Sequence, residues 1–176
     1  MLGFYRNLPN ILSLLRLFLS PLLFFIDKNL LPYLFSILAL TDALDGFLAR
    51  RFKRETQLGR ILDPLADKVL LLTALFVCTF ELKNMPEILL FSLLARDIFI
   101  LLGASVIYLR LKKVPKPSLW GKITTTVVAL SVLLCMFLHS PFINFLLSSL
   151  CLLFIIISWM DYAVKGIKTF KNQTSF

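Results

Sequence analysis

The stretch TDALDGFLARRFKRETQLGRILDPLADK, residues 41–68, decides the fold because it sets four carboxylates at the ends of two apolar segments. In a helix, Asp42 and Asp45 lie three residues apart on one face, and Asp63 and Asp67 lie four apart on another. The polar run between them, residues 50–57, is short enough to reverse the chain. The sequence therefore predicts a helical hairpin whose two acidic faces oppose each other.

Four acids gathered in apolar surroundings need compensating positive charge, since desolvation and mutual repulsion would otherwise protonate some of them. Two divalent cations supply four positive charges against the four negative ones. Carboxylate oxygens favour Mg²⁺ or Mn²⁺ over zinc, which prefers histidine and cysteine. We therefore predict that Asp42, Asp45, Asp63 and Asp67 hold two such cations.

The composition is that of an integral membrane protein. Hydrophobic residues make up 59% of the 176, and the mean hydropathy of +0.86 exceeds what a soluble core of this size needs. The surplus of 19 lysines and arginines over 10 acidic residues marks cytoplasmic loops in such a chain. The basic run RRFKR lies between two apolar spans, so we expect no nucleic-acid partner.

Apolar runs predict one domain, residues 1–176, with six transmembrane helices. Each run has about the twenty residues that a bilayer crossing requires, and the predicted spans are residues 10–26, 32–51, 59–80, 88–111, 120–138 and 143–162. The aromatic residues Phe4 and Tyr5 beside Arg6 predict a short interfacial segment at residues 1–9. The predicted fold class is all-α, a polytopic membrane protein with a short N-terminal interfacial segment.

The basic residues set the predicted orientation. With the amino terminus inside, 14 of the 19 lysines and arginines fall in cytoplasmic segments, and only Lys28 and Lys83 fall in outer loops. The positive-inside rule then places both termini and the hairpin of residues 41–68 on the cytoplasmic side, where soluble nucleotides occur.

A polar stripe lies inside the first span, where Asn10, Ser13 and Arg16 recur at intervals of three. Polar side chains within a span tend to face the protein interior. The stripe is therefore predicted to form one wall of the site.

The spacing Asp42-x2-Asp45-Gly46-x2-Ala49-Arg50-x8-Gly59-x3-Asp63-x3-Asp67 resembles the motif of the CDP-alcohol phosphotransferase family at all eight fixed positions. The resemblance implies six transmembrane helices, a homodimer, and a reaction in which an alcohol attacks the lipid-side phosphorus of a CDP-linked lipid and CMP leaves. The implied partners are CDP-diacylglycerol, a phosphorylated alcohol and membrane lipid, and the implied cofactors are two Mg²⁺ or Mn²⁺ ions.

The resemblance also implies a role for each matching position. Asp42, Asp45, Asp63 and Asp67 would be metal ligands, and Asp67 would also be the general base for the acceptor hydroxyl. The small residues Gly46, Ala49 and Gly59 let a flat base and ribose approach the backbone, although they equally suit close helix packing. The guanidinium of Arg50 can form two parallel hydrogen bonds to a diphosphate. The residues expected to bind the CDP-lipid are Asn10, Ser13, Asp42, Gly46, Ala49, Arg50 and Gly59.

The segments NILSLLR, LDPLADK, ARD and PSLWGKITT are most like bacterial members of the family whose acceptor is glycerol 3-phosphate, which implies a bacterial inner membrane. Arg96 within the fourth span and Lys122 at a helix start are predicted to bind the acceptor phosphate. Asp97 follows Arg96 and is expected to point elsewhere on the helix. The alternative for Arg96 is a pair with one of the site aspartates.

Two other functions stay open as alternatives. The Arg96–Asp97 pair also occurs in cardiolipin-forming members of the family, whose acceptor is phosphatidylglycerol. In another class, a divalent-cation transporter could carry intramembrane acids. Against a transporter, the four acids lie near one side and spans five and six are almost wholly apolar.

Overall fold

The structure is a computed structural model that describes the backbone of residues 2–52, 59–112 and 118–171, and the side chains of residues 11–41, 62–110, 112 and 118–167. Over these residues the chain is helical and contains no strand, which confirms the predicted all-α class. The elements are α1 (Leu2–Leu19), a 3₁₀ helix (Ser20–Phe24), α2 (Leu31–Phe52), α3 (Gly59–Phe76), a π-helical turn (Val77–Glu81), α4 (Glu87–Leu111), α5 (Leu119–Leu138) and α6 (Pro141–Lys171).

Prolines mark several of the helix boundaries. Pro32 is the second residue of α2, Pro86 precedes α4, and Pro141 is the first residue of α6. Proline suits these places because the first turn of a helix leaves its N–H groups without helical partners. Pro21 lies at the start of the 3₁₀ helix that follows α1, where its missing N–H interrupts the α-helical bonding.

Two helices differ in length from the predicted spans. α1 begins at Leu2, so residues 2–9 continue into the first span as helix. α6 ends at Lys171, nine residues beyond the predicted end at residue 162, because no proline follows Tyr162 and the helix accommodates the glycine of that stretch, Gly166. The polar residues beyond the apolar run therefore lie on helix.

The chain forms two compact units, Met1–Lys83 and Asn84–Phe176, and the single domain of residues 1–176 stays a prediction. In the first unit, α1 and α2 pack on α3, and the core includes Phe35, Leu70 and Leu75. In the second unit, α6 packs against α4 and α5, around Leu93 and Val132. The division arises because each half buries an apolar core of its own.

Three of the described helical segments are long and apolar enough to cross a membrane: Glu87–Arg110, Leu119–Leu138 and Pro141–Ile167. Shorter apolar helices run over Ile11–Phe24 and Leu31–Thr41. Many large apolar side chains lie on the outside, among them Phe18 and Leu109. Such a surface suits lipid, since it would be costly to leave in water.

Candidate active site

Two polar residues of α1 meet two aspartates of α3. The hydroxyl of Ser13 donates a hydrogen bond to the Asp63 carboxylate, and Arg16 forms an ion pair with Asp67. The contacts are in register because Ser13 and Arg16 are three residues apart and the aspartates are four apart, so both pairs lie on facing helix stripes. The predicted wall of polar residues on the first span therefore faces the predicted acidic stripe.

Burial differs across these two pairs. The side chains of Ser13 and Arg16 are each 1% exposed, whereas that of Asp67 is 46% exposed and Asp63 is half-buried. A buried guanidinium is costly to desolvate unless a carboxylate or other acceptor compensates it. Ser13 and Arg16 thus contact the aspartates from the buried side of the unit, while part of the Asp67 side chain stays accessible.

The other half of the predicted acidic site is described by its backbone alone. Asp42 and Asp45 lie on the last part of α2, which packs on α3, but their side chains fall outside the described residues. The same holds for the predicted CDP-lipid residues Asn10, Gly46, Ala49, Arg50 and Gly59. Among the side chains that the structure does describe, no three metal-binding residues come together, so the four-aspartate site stays a prediction.

The predicted acceptor residue Arg96 lies in the second unit and is 3% exposed. Its Nε and Nη2 donate to Ser158 Oγ at 3.2 and 3.0 Å, and Nη2 also donates to the Gly121 carbonyl at 3.2 Å. Ser158 belongs to α6 and Gly121 to the first turn of α5. The guanidinium therefore joins three helices of the unit.

The expectation that Asp97 points away from Arg96 is wrong. Arg96 Nη1 donates to Asp97 Oδ1 at 3.1 Å, so the neighbours form an ion pair. Adjacent residues of a helix do point in different directions, but the long arginine side chain can bend back to reach the carboxylate.

Lys122, the second predicted acceptor residue, is exposed on the first turn of α5. Ser118 starts that turn, and its hydroxyl donates to Asp161 of α6 and does not cap its own helix. The Ser118 N–H donates to Tyr162 Oη at 3.2 Å. Lys165 completes the cluster, with Nζ 2.7 Å from Asp161 Oδ2 and 3.2 Å from Ser118 Oγ.

This polar face of α6 is not among the features predicted from the sequence. Ser158, Asp161, Tyr162 and Lys165 follow one another at intervals of three, one and three, which places them on one side of a helix. That spacing is visible in the sequence. The predicted sixth span ends at residue 162, so it leaves out Lys165 and divides this polar face.

Known proteins resemble this chain over most of its length. A CDP-diacylglycerol–glycerol-3-phosphate 3-phosphatidyltransferase of Aquifex aeolicus is 43% identical over 173 residues, which cover 92% of this chain and 97% of the relative. A protein of the same description from Cereibacter sphaeroides is 33% identical over 72% of this chain and 62% of its own. A human cardiolipin synthase (CMP-forming) is 36% identical over 67% of this chain but only 41% of its own length.

The sequence profile of the CDP-alcohol phosphatidyltransferases matches residues 6–164, which span both compact units. The match includes the polar stripe of α1, the motif of residues 42–67, and the predicted acceptor residues. The chain belongs to the CDP-alcohol phosphatidyltransferase family.

Proposed function

We propose that this membrane enzyme transfers the phosphatidyl group of CDP-diacylglycerol to glycerol 3-phosphate, giving phosphatidylglycerophosphate and CMP. The observation that carries the proposal is the similarity to the Aquifex aeolicus enzyme, which extends over nearly the full length of both chains. The similarity to cardiolipin synthase covers less than half of that relative. Glycerol 3-phosphate is therefore preferred over phosphatidylglycerol as the acceptor.

The reaction exchanges one phosphorus–oxygen bond for another. The acceptor hydroxyl oxygen forms a bond to the lipid-side phosphorus, the bond from that phosphorus to the bridging oxygen breaks, and CMP carries the bridging oxygen away. We propose that the hydroxyl proton passes to Asp67. The open side of Asp67 and its fixed position against Arg16 support this assignment, since a base must be both reachable and held.

Asp42, Asp45, Asp63 and Asp67 would hold two Mg²⁺ or Mn²⁺ ions. The donor chemistry fits such ions, because the motif offers carboxylate oxygens and contains no histidine or cysteine. Ser13 and Arg16 contact the two described members of the set and would orient them, as outer-shell partners do at metal sites. When bound, the ions would neutralise charge that develops on the transferred phosphate.

The remaining CDP-lipid assignments are part of the same proposal. Gly46, Ala49 and Gly59 would admit the cytidine, and Arg50 would contact the diphosphate. Ser13 is also proposed to contact the nucleotide-lipid, although its hydroxyl donates to Asp63 in this structure. A CDP-lipid near Ser13 would therefore share that hydroxyl with the carboxylate.

We also propose that six spans cross a bacterial inner membrane, with both termini in the cytoplasm, and that the protein is a homodimer. Three helices that are long and apolar enough to cross, and the excess of basic residues in the predicted inner segments, support the spans and their orientation, and the family resemblance implies the homodimer. The two shorter apolar helices of the first unit would be completed as spans by the residues that precede or follow them on α1 and α2, and α3 with the π-helical turn after it would be the remaining one of the six.

An acceptor panel tests the proposed function. Purified protein in detergent with CDP-diacylglycerol and Mg²⁺ is given glycerol 3-phosphate, phosphatidylglycerol, serine or inositol phosphate in parallel, and CMP release is measured. We expect release with glycerol 3-phosphate alone. Preference for phosphatidylglycerol would identify a cardiolipin-forming enzyme, and no release with any acceptor would contradict a transferase.

A further inference from the structure

Most of the hydrogen-bond donors of the Arg96 side chain are already bonded to other groups of the protein. A guanidinium has five N–H donors, and Arg96 directs four donations to Ser158, Gly121 and Asp97, all at 3.0–3.2 Å. Only 3% of the residue is exposed. A soluble phosphate therefore has little of this side chain to contact without displacing bonds that the structure already makes.

The first turn of α5 is held from two directions. Arg96 of α4 donates to the carbonyl of Gly121, and α6 holds the start of the turn through the Ser118 N–H and hydroxyl, which contact Tyr162 and Asp161. Gly121 is closely surrounded, since a Cβ built there would lie 2.8 Å from Tyr162 Oη and 3.1 Å from Arg96 Nη2. The backbone of this turn is thus fixed at both ends.

Lys122 follows Gly121 directly, and its own N–H donates to the Ser118 carbonyl at 3.2 Å. Its side chain is exposed, and among the residues that the structure describes its ammonium has no ion-pair partner. Lys122 is therefore a cation with an accessible head on a helix turn whose backbone is held by hydrogen bonds with α4 and α6. Such a group loses little conformational freedom on binding an anion beyond that of its own side chain.

We propose that Arg96 is a positioning residue for Lys122: it fixes the first turn of α5, and Lys122 alone of the two contacts the acceptor phosphate. The inference rests on the proposed function, because it concerns how the same acceptor is bound. It assigns Ser158 a role as well, since this fully buried hydroxyl accepts two of the N–H groups of Arg96 and so holds the guanidinium toward Gly121.

A double-mutant cycle between Ser158→Ala and Lys122→Ala tests the inference. Ser158→Ala is chosen over Arg96→Ala because it loosens the guanidinium without removing a buried cation from the core. KM is measured separately for glycerol 3-phosphate and for CDP-diacylglycerol. Ser149→Ala is the matched control, since Ser149 lies on the same helix, is exposed, and bonds only to the carbonyl of Phe145 among the described contacts.

We expect Lys122→Ala to raise the KM for glycerol 3-phosphate roughly ten- to a hundredfold, the worth of a charge-assisted contact. Ser158→Ala should raise it roughly three- to tenfold, with an unchanged KM for CDP-diacylglycerol. In the Lys122→Ala background, Ser158→Ala should have no further effect, because the group that it positions is gone.

Three results would overturn the inference. Effects that multiply in the double variant would mean that Arg96 contacts the phosphate independently of Lys122. An unchanged KM for glycerol 3-phosphate in Ser158→Ala, or equal increases for both substrates, would leave Arg96 as a structural tie. A wild-type protein that releases no CMP with glycerol 3-phosphate would instead contradict the proposed function, so the two failures are distinguishable.

Discussion

Gly121 offers a sharp test of the packing in the second unit. Gly121→Ala places a Cβ 2.8 Å from Tyr162 Oη and 3.1 Å from both Tyr162 Cε2 and Arg96 Nη2. Neither neighbour can yield without loss, since Tyr162 accepts the Ser118 N–H and Arg96 is bonded to Ser158. The substitution therefore forces at least one of these side chains away from its partner.

The expected loss of stability is about 1.5–4.5 kcal/mol, the sum of about 1–3 kcal/mol for overpacking and about 0.5–1.5 kcal/mol for a lost hydrogen bond. In a chain of this length that loss lowers the melting temperature by roughly 3–18 °C. Unfolding can be followed in detergent by tryptophan fluorescence, because both tryptophans, Trp120 and Trp159, belong to the second unit.

Gly103→Ala is the matched control, because a Cβ there has nothing within 4 Å. Gly103 lies within α4, so alanine should leave the melting temperature unchanged or raise it slightly through its better helix propensity. Adding Tyr162→Phe to Gly121→Ala should restore part of the loss, since the hydroxyl that lies 2.8 Å from the new methyl is removed. Equal melting temperatures for Gly121→Ala and Gly103→Ala would refute the described packing.

Three further predictions concern the acidic site of the first unit. Asp63→Asn should abolish turnover while leaving the fold intact, and EDTA should abolish turnover reversibly. The control Asp27→Asn, at an exposed position, should leave turnover unchanged. Full activity after EDTA treatment would contradict the metal assignment. Asp67→Asn should lower kcat severely yet keep Mg²⁺-dependent binding of CDP-diacylglycerol, and loss of binding equal to that of Asp63→Asn would make Asp67 a ligand only. Arg16→Gln should lower kcat by roughly tenfold or more through the lost ion pair, measured against Ser20→Ala, whose hydroxyl bonds only the carbonyl of Arg16 among described contacts.

The acidic motif and the helical class could be predicted because both depend on local spacing. Intervals of three and four between Asn10, Ser13 and Arg16, and between Asp63 and Asp67, define helix faces without any knowledge of the partner. The sequence could not say that Ser13 would meet Asp63 and that Arg16 would meet Asp67. That pairing depends on the axial register of α1 against α3, which packing sets.

The acceptor region was less predictable because its contacts join distant parts of the chain. Arg96 was expected to bind a substrate, but its partners Gly121 and Ser158 lie 25 and 62 residues away. The ion pair with Asp97 depends on how a long side chain bends, and helix periodicity does not report that. The ion pair between Asp161 and Lys165 is the exception, because its i, i+4 spacing on a helix is visible in the sequence.

The central claim is best tested by the identity of the lipid product. Purified protein is incubated with CDP-diacylglycerol, Mg²⁺ and glycerol 3-phosphate labelled in its carbon chain. The lipids are then extracted and identified by mass spectrometry. The account predicts labelled phosphatidylglycerophosphate, formed in a one-to-one ratio with CMP. Label that stays in the aqueous phase, or cardiolipin formed when phosphatidylglycerol is supplied instead, would contradict it.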